Sequence, residues 1–240
     1  MSQAEAPPDR PLRVLVVLAH PDDPEFFCGG TVARWASEGR EIYYCLLTRG
    51  DKGADDPGVD PAELAETRER EQRAAAKVLG VREVSFLNYE DGNLTADLPT
   101  RKDVVRVIRT VRPDIVVTCD PTNVYGQFVN HVDHRMAGQV TLDAVYPAAR
   151  SALYFPELYD KEGLEPHKVH ELYIAGPVHP NLVIDVTDFL DLKITALFEH
   201  RSQIDDFESL KERLRKRMLD PESPAESPRF VERFAHIEIR

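Results

Sequence analysis

The run Val14-Leu15-Val16-Val17-Leu18 passes without a break into Ala19-His20-Pro21-Asp22-Asp23-Pro24-Glu25. Five consecutive aliphatic residues suit a strand buried on both faces, as in a parallel sheet. The next seven end it, because two prolines restrict the backbone and the polar residues between them have no place in a covered strand. Gly29-Gly30 then opens a helix read over Thr31 to Ser37, and Glu41 to Leu47 is a second apolar run. Strand, helix, strand is one β-α-β unit, whose parallel strands require a crossover connection.

The same alternation extends along the chain. The stretch from Thr48 to Pro61 is rich in glycine and aspartate and reads as a loop. Asp60-Pro61 with Glu63 starts a helix that runs to Leu79 and ends at Gly80. Further strands are read at Val84 to Leu87, Asp114 to Thr118 and Leu182 to Asp185, with a mixed segment at Leu172 to Ala175. Helices are read from Thr100 to Val111, from His134 to Tyr146, from Thr187 to Ile204 and from Phe207 to Met218. The expected fold class is α/β: a three-layer Rossmann-like arrangement with a mainly parallel sheet and helices on both faces. Residues 1–12 are expected to be a flexible leader, and 13–240 a single domain with a C-terminal helical extension. In such sheets ligands collect beyond the carboxyl ends of strands, where the winding direction reverses.

Charge and cysteine usage narrow the functional classes. Thirty Lys and Arg against 42 Asp and Glu give a net charge of −12, which disfavours nucleic acid and anionic lipid as main partners. No apolar run is long enough for a membrane span, and the amino-terminal residues lack the pattern of a secretory signal. Cys28, Cys45 and Cys119 are widely spaced and form no C-x-x-C pair, which fits a reducing cytoplasm better than a disulfide framework. Cys28 and Trp35 are expected in the core.

Two segments carry chemistry. Ala19 to Glu25 places one imidazole and three carboxylates after the first strand, where an acidic helix-capping turn is the bland alternative. His131-Val132-Asp133-His134 clusters imidazole and carboxylate after the fourth strand, and taken alone is equally well read as a solvated helix start. Together they offer the ligand types that zinc accepts, with a position left open for water.

On these residues the chain resembles the PIG-L/LmbE-like family of zinc-dependent N-deacetylases, whose A-H-P-D-D-x-E hallmark stands at Ala19 to Glu25. A variant of its H-P-D-H motif stands at His131 to His134. Gly29-Gly30, Thr48 to Gly53 and Arg68-x-x-Glu71 agree with it. The resemblance implies that His20, Asp23 and His134 hold Zn2+ or another divalent metal. It also implies that Asp22 is the general base and that a protonated His131 assists the tetrahedral intermediate and the leaving amine. Asp133 is read as an outer partner that orients an imidazole or, equally, as a helix-start carboxylate. Arg68 and Asp91 are read as substrate contacts, against the alternatives of an Arg68–Glu71 ion pair and an ordinary Asp91-Gly92 turn. The resemblance further implies an N-acetylglucosamine-type substrate and assembly into trimers or hexamers. Two departures stand out: Val129 occupies the place of a tyrosine found in the thiol-pathway members, and Val132 that of a proline. Tyr125 or Asn130 could supply the missing polar group. Lys211 to Arg217 reads as a solvated helix face, and His179 lies in a late loop that could line the cleft.

The rivals are an amidase acting on a larger N-acyl or thiol-conjugate group, a nucleotide-binding Rossmann-like module and a catalytically silent binding protein. The nucleotide reading lacks a glycine-rich phosphate loop after the first strand.

Overall fold

The computed structural model describes residues 10–125 and 129–239. Its strands are β1 (Arg13–Leu18), β2 (Glu41–Thr48), β3 (Glu83–Tyr89), β4 (Ile115–Cys119), β5 (Glu171–Ala175), β6 (Leu182–Asp185) and β7 (Val231–Glu238). Its α-helices are α1 (Asp23–Ser37), α2 (Pro61–Val78), α3 (Leu98–Val111), α4 (Val132–Asp143), α5 (Pro156–Asp160), α6 (Leu190–Leu197) and α7 (Phe207–Met218). The seven strands form one sheet in the order β3-β2-β1-β4-β5-β7-β6. Pairing is parallel from β3 through β5 and antiparallel where β7 enters between β5 and β6. The α/β class with a mainly parallel sheet is as expected.

Alternation along β1 explains the two covered faces. Val14, Val16 and Leu18 pack with residues of α1, α2 and α6, whereas Leu15 and Val17 pack with residues of α3, α4 and α5. A third cluster joins α6 to α7 through Leu190, Ile194, Leu210 and Leu214. Cys28 and Trp35 lie in the first core, and all three cysteines are free and buried.

The winding reverses between β1 and β4, which are parallel neighbours. The loops leaving their carboxyl ends carry the two His/Asp segments, so the switch-point expectation holds. Gly138 lets α4 approach this edge. A Cβ there would lie 2.3 Å from the Cys119 carbonyl oxygen, so any larger residue would push the helix bearing His134 off the strand end.

Four expectations change. Leader residues 1–9 lie outside the described residues, while Arg10 is tied down by Asp114 through bonds of 2.8 and 3.0 Å. The third helix begins at Leu98, capped by Asp97, which accepts the Thr100 N–H at 3.0 Å. The helix expected over Thr187 to Ile204 is a short 3-10 turn followed by α6, ending at Leu197. The C-terminal extension is not helical throughout, because after α7 the chain returns as β7. Glu232 of that strand accepts the Gly30 and Thr31 N–H groups at 3.0 and 2.7 Å, capping α1 where it kinks at Cys28. Lys193 neutralises Glu232 at 2.6 Å, and both side chains are buried. Among the described residues, no helix is long and apolar enough to cross a membrane.

Candidate metal centre and active site

The carboxyl edge of the sheet surrounds a cavity of about 580 Å3, lined from loops after β1, β2, β3, β4 and β5. His20, Asp22 and Asp23 enter from the first loop, and His131 and His134 from the start of α4.

Each imidazole is oriented by its far side. His20 Nε2 donates to Asp91 Oδ1 at 3.0 Å and to Asp133 Oδ2 at 3.2 Å, which turns Nδ1 toward Asp23 Oδ2, 3.5 Å away. Asn130 donates from Nδ2 to the Asn123 carbonyl at 2.8 Å, which turns its Oδ1 toward His134 Nδ1 at 3.1 Å. His134 Nδ1 therefore carries the proton, and its Nε2 faces Asp23 Oδ1 at 3.0 Å. Two imidazole nitrogens thus face the two oxygens of one carboxylate, one at each. The ligand atoms of His20, His131 and His134 all lie within 4.8 Å of one another, and Asp23 touches two of the three rings. The donor set fits a divalent metal.

Electrostatics follow from the same contacts. Burial opposes a charged His20, but hydrogen bonds to Asp133, Asp23 and Asp91 outweigh it and raise its pKa well above the usual imidazole range. Burial likewise opposes ionisation of Asp23, yet His134 and His20 hold its carboxyl far below the ordinary value. Burial pushes Asp22 up to about 6, with Arg68 pulling it down and Asp23 pushing it further up.

His131 also closes the centre, within ligand reach of His20 and His134. Its Nδ1 accepts the Asp133 N–H at 3.2 Å and caps α4, which leaves Nε2 as the proton-bearing nitrogen. Burial and the nearby His20 lower its pKa. Both the capping bond at Nδ1 and the lowered pKa favour a neutral His131 imidazole over the expected protonated one. Asp133 serves as an outer partner and more: Oδ2 accepts the Gly92 N–H at 2.7 Å and Oδ1 the Leu94 N–H at 3.2 Å, fixing the loop after β3.

Arg68 and Asp91 line the cavity, but their charged ends have partners inside the protein. Arg68 donates to the Pro21 and Gly50 carbonyls at 2.7 and 3.1 Å and to Asp22 Oδ2 at 3.2 Å. Asp91 holds His20 and accepts the Lys52 N–H at 3.1 Å. Buried charges need such pairing. Gly50 makes room for this grip: its φ is +68°, and a Cβ would fall 2.3 Å from Arg68 Nη1. Glu71 does not pair with Arg68 but accepts from Ser202 N and Oγ.

Several residues of the site were missed by the sequence reading or left open in it. Gln72, Glu25 and His200 form a buried chain behind Asp22. Arg217, expected on a solvated face, reaches the cavity from the end of α7, whereas His179 is exposed and lies outside the lining. Asn130 orients His134, and Tyr125 is exposed.

The family model described as GlcNAc-PI de-N-acetylase, PIG-L, matches residues 15–145. A diacetylchitobiose deacetylase of Thermococcus kodakarensis is 34% identical over 191 residues, covering 80% of this chain and 70% of that protein. A 1D-myo-inositol 2-acetamido-2-deoxy-alpha-D-glucopyranoside deacetylase of Rhodococcus erythropolis is 36% identical over 170 residues, covering 60% of this chain and 56% of that protein. Among solved structures, N,N'-diacetylchitobiose deacetylase from Pyrococcus horikoshii, complexed with its inhibitor MPG, superposes with a TM-score of 0.85 at 30% identity. That match covers 94% of this chain and 84% of the other. The chain belongs to the PIG-L family.

Proposed function

We propose that the protein is a divalent-metal-dependent hydrolase that removes the acetyl group from an N-acetylglucosamine-type sugar. The carrying observation is that Asp23 stands between His20 Nδ1, 3.5 Å from its Oδ2, and His134 Nε2, 3.0 Å from its Oδ1, with His131 within ligand reach of both imidazoles and Asp22 lining the same cavity. His20, Asp23 and His134 would hold the cation, zinc by ligand type. The chemistry such a cation supplies is Lewis acidity, which polarises an amide carbonyl and makes water nucleophilic near neutral pH. Asp22, with its pKa near 6, accepts a proton from water at neutral pH and can return it to the departing nitrogen. His131 Nε2–H donates a hydrogen bond to the carbonyl oxygen as negative charge develops there. Asp91 and Asp133 keep His20 in the ligating tautomer, and Asn130 does the same for His134.

Deacetylases of diacetylchitobiose and of a glucosaminyl inositol among the relatives support an acetylated amino sugar. They do not favour the larger-acyl amidase, the nucleotide-binding module or the silent binding protein. A cavity of about 580 Å3, with Phe26 and Phe27 on its wall and Lys52, Asn123 and Arg217 around it, suits a glycoside. The buried free thiols suit a cytoplasmic enzyme. Residues 13–240 act as one catalytic domain, and exposed Leu153, Tyr154 and Tyr159 support a subunit contact in a homo-oligomer.

The test is acetate release from a panel of N-acetylglucosamine glycosides by metal-analysed protein. Asp22→Asn is expected to keep its metal and lose about 10²–10⁴-fold in kcat; full activity in that variant rejects the base. His134→Ala is expected to lose the metal, and stoichiometric retention there rejects the ligand set.

A further inference from the structure

Asp22 has a φ of +88°, a left-handed conformation that a non-glycine residue holds only when its surroundings enforce it. Two side chains of α2, one turn apart, supply the enforcement. Arg68 takes the Pro21 carbonyl and the Asp22 carboxylate, and Gln72 Oε1 accepts the Asp22 backbone N–H at 2.8 Å. Gln72 is completely buried, and its Nε2 donates to both oxygens of Glu25 at 3.0 and 3.1 Å. Glu25, equally buried, is held on its other side by His200 Nε2 at 3.2 Å.

The order of donors and acceptors admits one arrangement. A backbone N–H can only donate, and the Glu25 carboxylate can only accept. The residue between them must accept at one end and donate at the other, which a primary amide does and a carboxylate or an apolar side chain does not. His200 Nδ1 has no partner among the described residues, so the ring proton sits on Nε2 and points at Glu25.

We infer that Gln72 is a positioning residue for the reaction, and that the buried chain His200–Glu25–Gln72 fixes the Asp22 backbone so that its carboxylate meets the water proton. The inference rests on the reading of Asp22 as the base. It assigns no direct substrate contact to Gln72, which is absent from the cavity lining. A misplacement of the base by about 1 Å is enough to cost about 100-fold in rate.

The experiment compares Gln72→Met, Gln72→Glu and the double variant Glu25→Gln/Gln72→Glu with the wild-type protein, on N,N'-diacetylchitobiose, with metal content and thermal melting measured in parallel. Gln72→Met keeps the side-chain volume and removes both hydrogen bonds. Gln72→Glu sets two carboxylates face to face. The double variant restores the order by exchanging the two groups: the amide introduced at position 25 donates to the carboxylate introduced at position 72 and accepts from His200. Expected are a kcat lowered about 10–100-fold in both single variants, with KM and metal stoichiometry unchanged, and recovery of most of that loss in the double variant. A merely structural role would lower the melting temperature without splitting kcat from KM. The inference is overturned by wild-type kcat in folded Gln72→Met, by loss of metal alongside kcat, or by a double variant no better than Gln72→Glu. Asp22→Asn, assayed beside them, separates the two levels: if it is fully active the base reading fails, whereas an inactive Asp22→Asn beside an unimpaired Gln72→Met removes only the role of Gln72.

Discussion

The loop after β1 and the segment after β4 supply the two halves of one centre, yet they are built differently. The first, Ala19 to Glu25, is gripped from behind by buried Arg68 and Gln72 and held at its own carboxylates and imidazole by Asp133, Asp91 and His134. The second carries His131 and His134 next to Val129, which is 78% exposed, and is held by Asn130, the helix cap at His131 and the bonds of buried Asp133 to the loop after β3. Preorganisation is thus concentrated on the half that carries the base, where small displacements matter most for proton transfer. The half that carries a ligand and a hydrogen-bond donor has a more open surround.

The strongest test of this asymmetry is Asp133→Ala. Asp133 is fully buried and holds His20 as well as the Gly92 and Leu94 N–H groups, so its loss disturbs the clamped half and leaves buried donors unpaired. Metal affinity measured by chelator competition is expected to fall about 10–100-fold, with about 1–3 kcal/mol lost from stability for each buried group left unsatisfied. Asn130→Ala is the counterpart on the open half, where water can reach His134 Nδ1, and its effect on metal affinity is expected near or below tenfold. Equal losses in the two variants would mean that both halves are held alike.

What the sequence made legible follows the same division. The β1 alternation, the switch point and both motifs were readable because each is a local pattern of consecutive residues. The clamp was not. Arg68-x-x-Glu71 drew attention to Glu71, but the buried face of α2 runs through Leu64, Ala65, Arg68, Gln72, Ala75 and Ala76, and Glu71 turns to Ser202. One residue is about 100° around a helix, so that shift hid Gln72, and a buried glutamine gives no hydropathy signal of its own. Glu25 was visible in the motif, but its partner His200 is 175 residues away in the chain. β7 was hidden because Val231–Glu238 mixes glutamate, arginine and histidine into a strand flanked by a proline- and serine-rich connector, and only its antiparallel insertion between β5 and β6 buries it.

The opposite edge of the same two strands provides a control remote from the metal centre. Asp114, at the amino end of β4, accepts the Arg13 N–H at 2.8 Å and pairs with Arg10, joining β1 to β4. Burial raises its pKa, but the bonds from Arg10 and Arg13 outweigh that and lower it overall. A depressed folded-state pKa gives stability that is complete above the unfolded carboxyl value, about 3.9, and is lost as pH falls through the folded value. Acid unfolding followed by circular dichroism should therefore show wild-type protein losing its advantage over Asp114→Asn below about pH 4, with metal affinity at neutral pH unchanged in the variant. An advantage constant through that window would remove Asp114 as the acid-sensitive tie, and a metal defect would mean that the two edges are coupled through β1 and β4.

The smallest effect is expected at Val129, the position where a tyrosine would be found in the thiol-pathway members. It lines the cavity while remaining 78% exposed, so little of the protein packs against it. Val129→Ser is expected to change stability by no more than about 0.5 kcal/mol. Any effect on turnover should be on KM, because a rim residue that contacts the ground state and transition state alike changes binding without changing the chemical step. A kcat lowered tenfold in a variant that melts with the wild type would contradict this. It would show that Val129 meets the substrate in the transition state and not only in the ground state.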